Sequence, residues 1–140
     1  MDPLAIRVCN LPRDFYRMRT KSIIELLVDS GYVDNPDKLL RSDVVEVLRS
    51  DPSLVQEWIN YSGDKRVSSG WFLLPNGNVG HLGPIEDDTF HVEMEPRSKD
   101  LNDACMEFIF REIGDIRKNA LKRRAAGLPM TARTRNEKVD

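Results

Sequence analysis

Apolar residues recur along this chain at two different spacings, and the change from one to the other organises it. Up to residue 63 the spacing is helical. Ile23, Ile24, Leu26 and Leu27 form one stripe, which predicts a helix capped by Thr20 and ended by Gly31. Residues 32–37 then read as a loop broken at Asn35-Pro36. Val44, Val45, Val47 and Leu48 predict a second helix behind a Ser42 cap. Asp51-Pro52 ends it and starts a third, with Asp51 as cap and Pro52 in the first helical position, where its missing N–H costs nothing. Leu54, Val55, Trp58 and Ile59 are its packed face, and Gly63 closes it. Residues 1–18 are less regular. Residues 4–8 are compatible with a short strand, and Pro12 predicts a turn over residues 10–14.

The period then shortens. Residues 69–74 are aromatic and apolar, the profile of a strand buried on both faces. Pro75-Asn76-Gly77-Asn78 follows, and Asn-Gly between apolar runs predicts a type I′ hairpin turn. Residues 79–82 return. Residues 89–94 alternate, with Phe90, Val92 and Met94 on one side and His91 and Glu93 on the other. Three strands in an antiparallel meander follow most economically. After Pro96, Ser98 or Asp100 caps a long last helix. Its stripe runs through Leu101, Ala104, Cys105, Phe108, Ile109, Glu112, Ile113 and Ile116, with Glu112 the single polar member. The expected class is therefore α+β, with N-terminal helices, a three-stranded meander and a long C-terminal helix packed on the sheet.

Charge adds a division that hydropathy does not show. The net charge of −2 sums two unlike parts. Residues 122–140 hold six basic and two acidic groups, so the first 121 residues hold 15 basic and 21 acidic, a net of −6. This predicts one domain over residues 1–121 and a basic, disordered tail over 122–140. An acidic body speaks against nucleic acid as its main ligand, because phosphate contacts need Lys and Arg clusters. It suits a basic protein partner. The two cysteines, Cys9 and Cys105, make no disulfide framework and read as reduced thiols. No apolar run approaches the roughly 18 residues of a membrane span, and Met1-Asp2-Pro3-Leu4 lacks the order of a signal peptide. A cytoplasmic location is the resulting expectation.

Residues with chemical potential are few. His81 and His91 fall where neighbouring strands would bring them together, but no further ligand lies at zinc spacing, so no metal is expected. Residues 77–83 hold three glycines without the order of a phosphate loop. Ser68 and Ser69 have no visible base. The expectation is neither an enzyme nor a cofactor protein. A binding surface is the alternative. Glu86, Asp87 and Asp88, joined by Glu93 and Glu95, form an acidic segment suited to a basic partner. Asp64 and Arg66 form a charged rim near Trp58 and Trp71, with Arg66 placed to stack on an indole. Trp71 itself reads as core more than as a contact residue.

The segment Asn60-Tyr61-Ser62-Gly63-Asp64-Lys65-Arg66-Val67-Ser68-Ser69-Gly70-Trp71-Phe72 resembles a tyrosine-serine-x-aspartate-lysine-arginine-x-serine-x-glycine-tryptophan-aromatic pattern of small bacterial proteins. In those proteins a glycine-bearing hairpin and a helix like residues 103–113 follow. The resemblance covers about residues 20–117 and points to the immunity proteins of contact-dependent inhibition and related polymorphic-toxin systems. It implies that the partner is a cognate toxin domain whose active site is occluded. The competing reading is a nucleic-acid or regulatory module acting through the basic tail with Arg13, Arg17, Arg19 and Lys21.

Overall fold

The computed structural model describes residues 1–18, 20–64, 70–82, 90–94 and 100–129, with the backbone alone at Leu82 and Phe90–Met94. The N-terminal residues are helical. Helix α1 (Pro3–Cys9) starts where the Asp2 carboxylate accepts from the Ala5 amide at 2.9 Å, with Pro3 in the first turn. Its buried residues, Leu4, Ala5, Val8 and Cys9, keep helical spacing. The short-strand reading of residues 4–8 is therefore corrected: a cap plus an N1 proline outweighs the branched side chains of Ile6 and Val8. The turn predicted over 10–14 is instead the start of helix α2 (Leu11–Arg17), which tolerates Pro12 because it lies in the first turn.

The next three helices follow the hydrophobic stripes, with shifted ends. Helix α3 (Ile23–Ser30) is capped by Ser22, not Thr20. Ser22 Oγ accepts from the Glu25 amide at 3.0 Å, and Glu25 Oε1 accepts from the Ser22 amide at 3.2 Å, a reciprocal pair that Thr20 has no glutamate to complete. Gly31 ends it at φ +95°, as expected. Helix α4 (Arg41–Ser50) begins one residue before its expected cap. Helix α5 (Ser53–Asp64) runs through Gly63 instead of ending there.

Strand β1 (Gly70–Leu73) pairs antiparallel with β2 (Val79–Leu82), and β2 pairs with β3 (Phe90–Met94), in the order β1-β2-β3. The hairpin loop is not the predicted two-residue turn. Leu74 O accepts from the Gly77 amide at 2.9 Å, and the Leu74 amide donates to Asn78 O at 3.0 Å. The loop is thus Pro75-Asn76-Gly77, with Gly77 at φ +95°. Proline favours the second position of a type I turn, and a following left-handed glycine restores strand direction. In β3 the pairing skips a residue between Val92 and Met94, so regular two-residue pairing is interrupted at Glu93.

Helix α6 (Leu101–Ala125) starts at Asp100, one of the two expected caps. It packs against α3, α4, α5 and β1. Its stripe is buried from Ala104 to Ile116 as read, except that Leu101 is exposed. The helix passes Leu121, where the domain was expected to end. Gly127 at φ +71° then closes it, with Leu128 N donating to Arg123 O and Gly127 N donating to Arg124 O. That is a Schellman end. Lys122, Arg123 and Arg124 therefore belong to the helix, and Arg124 reaches Asp34 at 2.9 Å. Residues 130–140 lie outside the described residues.

Trp58 is the centre of the core. It is 1 % exposed, meets Tyr61 and Phe108 edge-on at 5.6 and 5.9 Å, and donates its indole N–H to Cys9 O at 2.9 Å. One side chain thus joins α1, α5 and α6. Arg13 ties α2 to α5 from outside, donating Nε and Nη2 to the Glu57 carboxylate and reaching Asp51 at 3.3 Å.

Candidate functional site

The last turn of α5, strand β1 and the middle of α6 meet at one junction, where buried Ser62 and Glu112 and the Arg111–Trp71 stack come together. Ser62 is 1 % exposed. Its Oγ accepts from the Leu73 amide at 2.8 Å. The register explains why that amide needs a partner. Leu74 and Asn78 are hydrogen-bonded across the hairpin, so at Leu73 the N–H points away from β2. Without Ser62 the inner edge of β1 would carry a buried, unmatched donor.

Tyr61, one residue earlier, donates its hydroxyl to Glu112 Oε2 of α6 at 2.7 Å. Glu112 is 6 % exposed. Burial, followed by the neighbouring Glu112 charge, holds the Tyr61 phenol well above the usual range, so it stays a donor. The lone polar member of the α6 stripe was a visible sign that something polar must meet it inside.

Trp71, Leu73, Val79 and His81 share one face of the β1–β2 hairpin, because residues two apart and directly opposite lie on the same side. Leu73 and Val79 are buried there, at 2 % and 0 % exposure. Trp71 is half-buried at the margin of the core and meets His81 edge-on at 4.8 Å. The Arg111 guanidinium of α6 lies over the indole, 4.7 Å from its centroid. An arginine does stack on Trp71, but it comes from α6 and had no signal in local sequence. Arg66, expected in that role, lies outside the described residues.

The acidic segment is placed only in part. Glu93 sits at the break in β2–β3 pairing. Glu86, Asp87, Asp88 and Glu95 lie outside the described residues. Asp64 is exposed at the end of α5 and accepts from the Tyr16 hydroxyl of α2 at 2.7 Å. The structure thus joins Asp64 to α2. The register does set His81 opposite His91 at the backbone. Among the described residues, no group of three or more His, Cys, Asp and Glu side chains is placed to hold a metal ion.

A second feature is an open groove of about 500 Å³ between α4 and α6, lined by Arg41, Ser42, Val45, Glu46, Arg49 and Met106. Its two arginines are held by carboxylates, Arg41 by Glu107 of α6 at 2.6 Å and Arg49 by the α6 cap Asp100 at 2.7 Å. The thiols are unsuited to nucleophilic work. Burial pushes Cys9 up to about 12 and raises Cys105 well above its ordinary value. Among the described residues no helix is long and apolar enough to cross a membrane. Comparison with protein-family models, curated proteins and solved structures gives no match.

Proposed function

We propose that this chain is a bacterial immunity protein that acts in the cytoplasm by binding a cognate toxin domain and occluding its active site. The observation that carries the reading is the meeting of the two segments on which the resemblance rests. Residues 60–72 and 103–113 touch through Tyr61–Glu112 and Trp71–Arg111. A pattern that couples these residue types across 40 or more positions is what a shared fold requires. In this reading the motif builds the scaffold and the partner surface lies elsewhere. The acidic segment formed by Glu86, Asp87, Asp88, Glu93 and Glu95, with Asp64 and Arg66 at its margin, is the surface we assign to the toxin. The net charge of −6 over residues 1–121 supports a basic partner. Neutralisation is by steric and electrostatic cover, with no catalysis, cofactor or metal.

The test is co-expression with the toxin encoded beside this gene. Rescue of growth together with a stable complex is the expected outcome. Neither rescue nor complex overturns the proposal. Truncation after residue 129 separates it from the nucleic-acid reading: protection should survive the loss of Arg133, Arg135 and Lys138.

A further inference from the structure

We propose that Arg111, held across the face of Trp71, is a binding site for an oxyanion, a carboxylate or phosphate group brought from outside the domain. Most of the other arginines among the described residues set a contrast; Arg17 meets no partner among them but is exposed, where water serves its donors, and Arg123 donates to Pro129 O. Arg13, Arg41, Arg49 and Arg124 each meet a carboxylate. Arg7 and Arg117 each donate Nε to a backbone carbonyl, of Ser30 and Val33. Arg111 does neither. No ion pair among the described residues includes it, and its Nε is buried without a hydrogen-bond partner.

A buried, unmatched donor on a charged group is costly, and each one in a native protein calls for an explanation, a bound ion being one of them. The stack on Trp71 gives the arrangement its direction. A guanidinium over an aromatic ring is pre-positioned, and its N–H groups radiate in its own plane, the fork that matches two oxygens of a carboxylate or phosphate. His81, edge-on to the same indole at 4.8 Å, adds a second nitrogen-bearing ring to the row. Arg111 is only partly buried as a residue. Its terminal nitrogens are the point of entry, and a turn about the last side-chain torsions offers Nε as well. The inference rests on Arg111 and Trp71 and does not depend on the immunity reading.

The experiment uses the full chain labelled with nitrogen-15. The Nε–H signal of Arg111 and the indole N–H of Trp71 are followed while sodium acetate or sodium phosphate replaces sodium chloride at constant ionic strength. The signals are assigned with Arg111→Gln and Trp71→Phe. A saturating shift of both signals with acetate, phosphate or both is expected, and the more effective anion identifies the source. Arg111→Gln should abolish saturation at Trp71. Arg111→Lys keeps the charge without the fork, and should weaken binding several-fold. If Arg111→Gln does not fold, the lysine variant and the wild-type titration decide. Shifts that stay linear, or that chloride reproduces, overturn the proposal. So does a hydrogen-bond coupling from Arg111 Nε to a carboxylate of this same chain, which would show the donor to be satisfied internally.

Discussion

Replacing Ser62 by alanine isolates one hydrogen bond at the junction of α5 and β1. The Leu73 amide points away from β2 and has Ser62 Oγ as its acceptor at 2.8 Å. Both residues are almost fully buried, at 1 % and 2 % exposure, so water cannot replace the lost oxygen without opening the core. Leaving a buried N–H unmatched costs about 1–3 kcal/mol. Two effects oppose this. Alanine is the better helix former, by roughly 0.5 kcal/mol in a helix interior, and the change removes a single atom, so any cavity is small. The unmatched amide wins, for a net loss of about 0.5–2.5 kcal/mol. For a chain of this size that lowers the melting temperature by roughly 2–10 °C. Urea unfolding followed by circular dichroism should show a lower midpoint with an unchanged slope. Hydrogen exchange should show the Leu73 amide losing protection more than its neighbours. Ser50→Ala serves as the control, because Ser50 is exposed and donates to Val47 O of its own helix. It should stay within about 0.5 kcal/mol of wild type. If Ser62→Ala matches that control and leaves Leu73 protected, the account of the β1 edge is wrong.

Further outcomes follow from the same contacts. Tyr61→Phe removes a donor from the buried Glu112 carboxylate, and should cost about 1.5–3 kcal/mol in chemical denaturation; a neutral result would mean that Tyr61 contributes only packing. Stability should fall at alkaline pH. The Cys9 thiol ionises near 9.0 when unfolded but only near about 12 when folded, so between those values the folded chain binds the extra proton. The loss approaches about 1.4 kcal/mol per pH unit, or about 4 kcal/mol across the window. Urea midpoints from about pH 8 to pH 11 should decline, and less steeply in Cys9→Ala. Gly127→Ala forces a Cβ into the left-handed cap of α6 and should cost about 1 kcal/mol in thermal melts, although nothing lies within 4 Å to clash with it. Association with the cognate toxin should slow as salt rises in stopped-flow mixing; rates indifferent to ionic strength would remove the acidic segment from the mechanism.

The acidic segment was the most visible candidate in the sequence, because a run of like charges is apparent one residue at a time. What the junction uses is less visible. Ser62 matters through an amide eleven positions away, and Arg111 through an indole forty positions away. Neither distance has a local signature. Glu112 was the exception: a carboxylate within an apolar stripe announces a buried partner, even though Tyr61 could not be named from the pattern.

The sequence by itself determined the α+β class, the stripes of α3, α4, α5 and α6, and the hairpin after residue 69. These follow from side-chain periodicity and from glycine and proline, which act within a few residues. It misjudged α1, where the Asp2 cap and Pro3 outweighed branched side chains, and the hairpin loop, where Pro75 drew the turn one residue earlier. Tertiary structure alone decided which polar groups are buried together. The Ser62–Leu73, Tyr61–Glu112 and Arg111–Trp71 contacts exist because α6 lies against α5 and β1. Desolvation there makes each hydrogen-bonding group answerable to a partner that only the fold supplies.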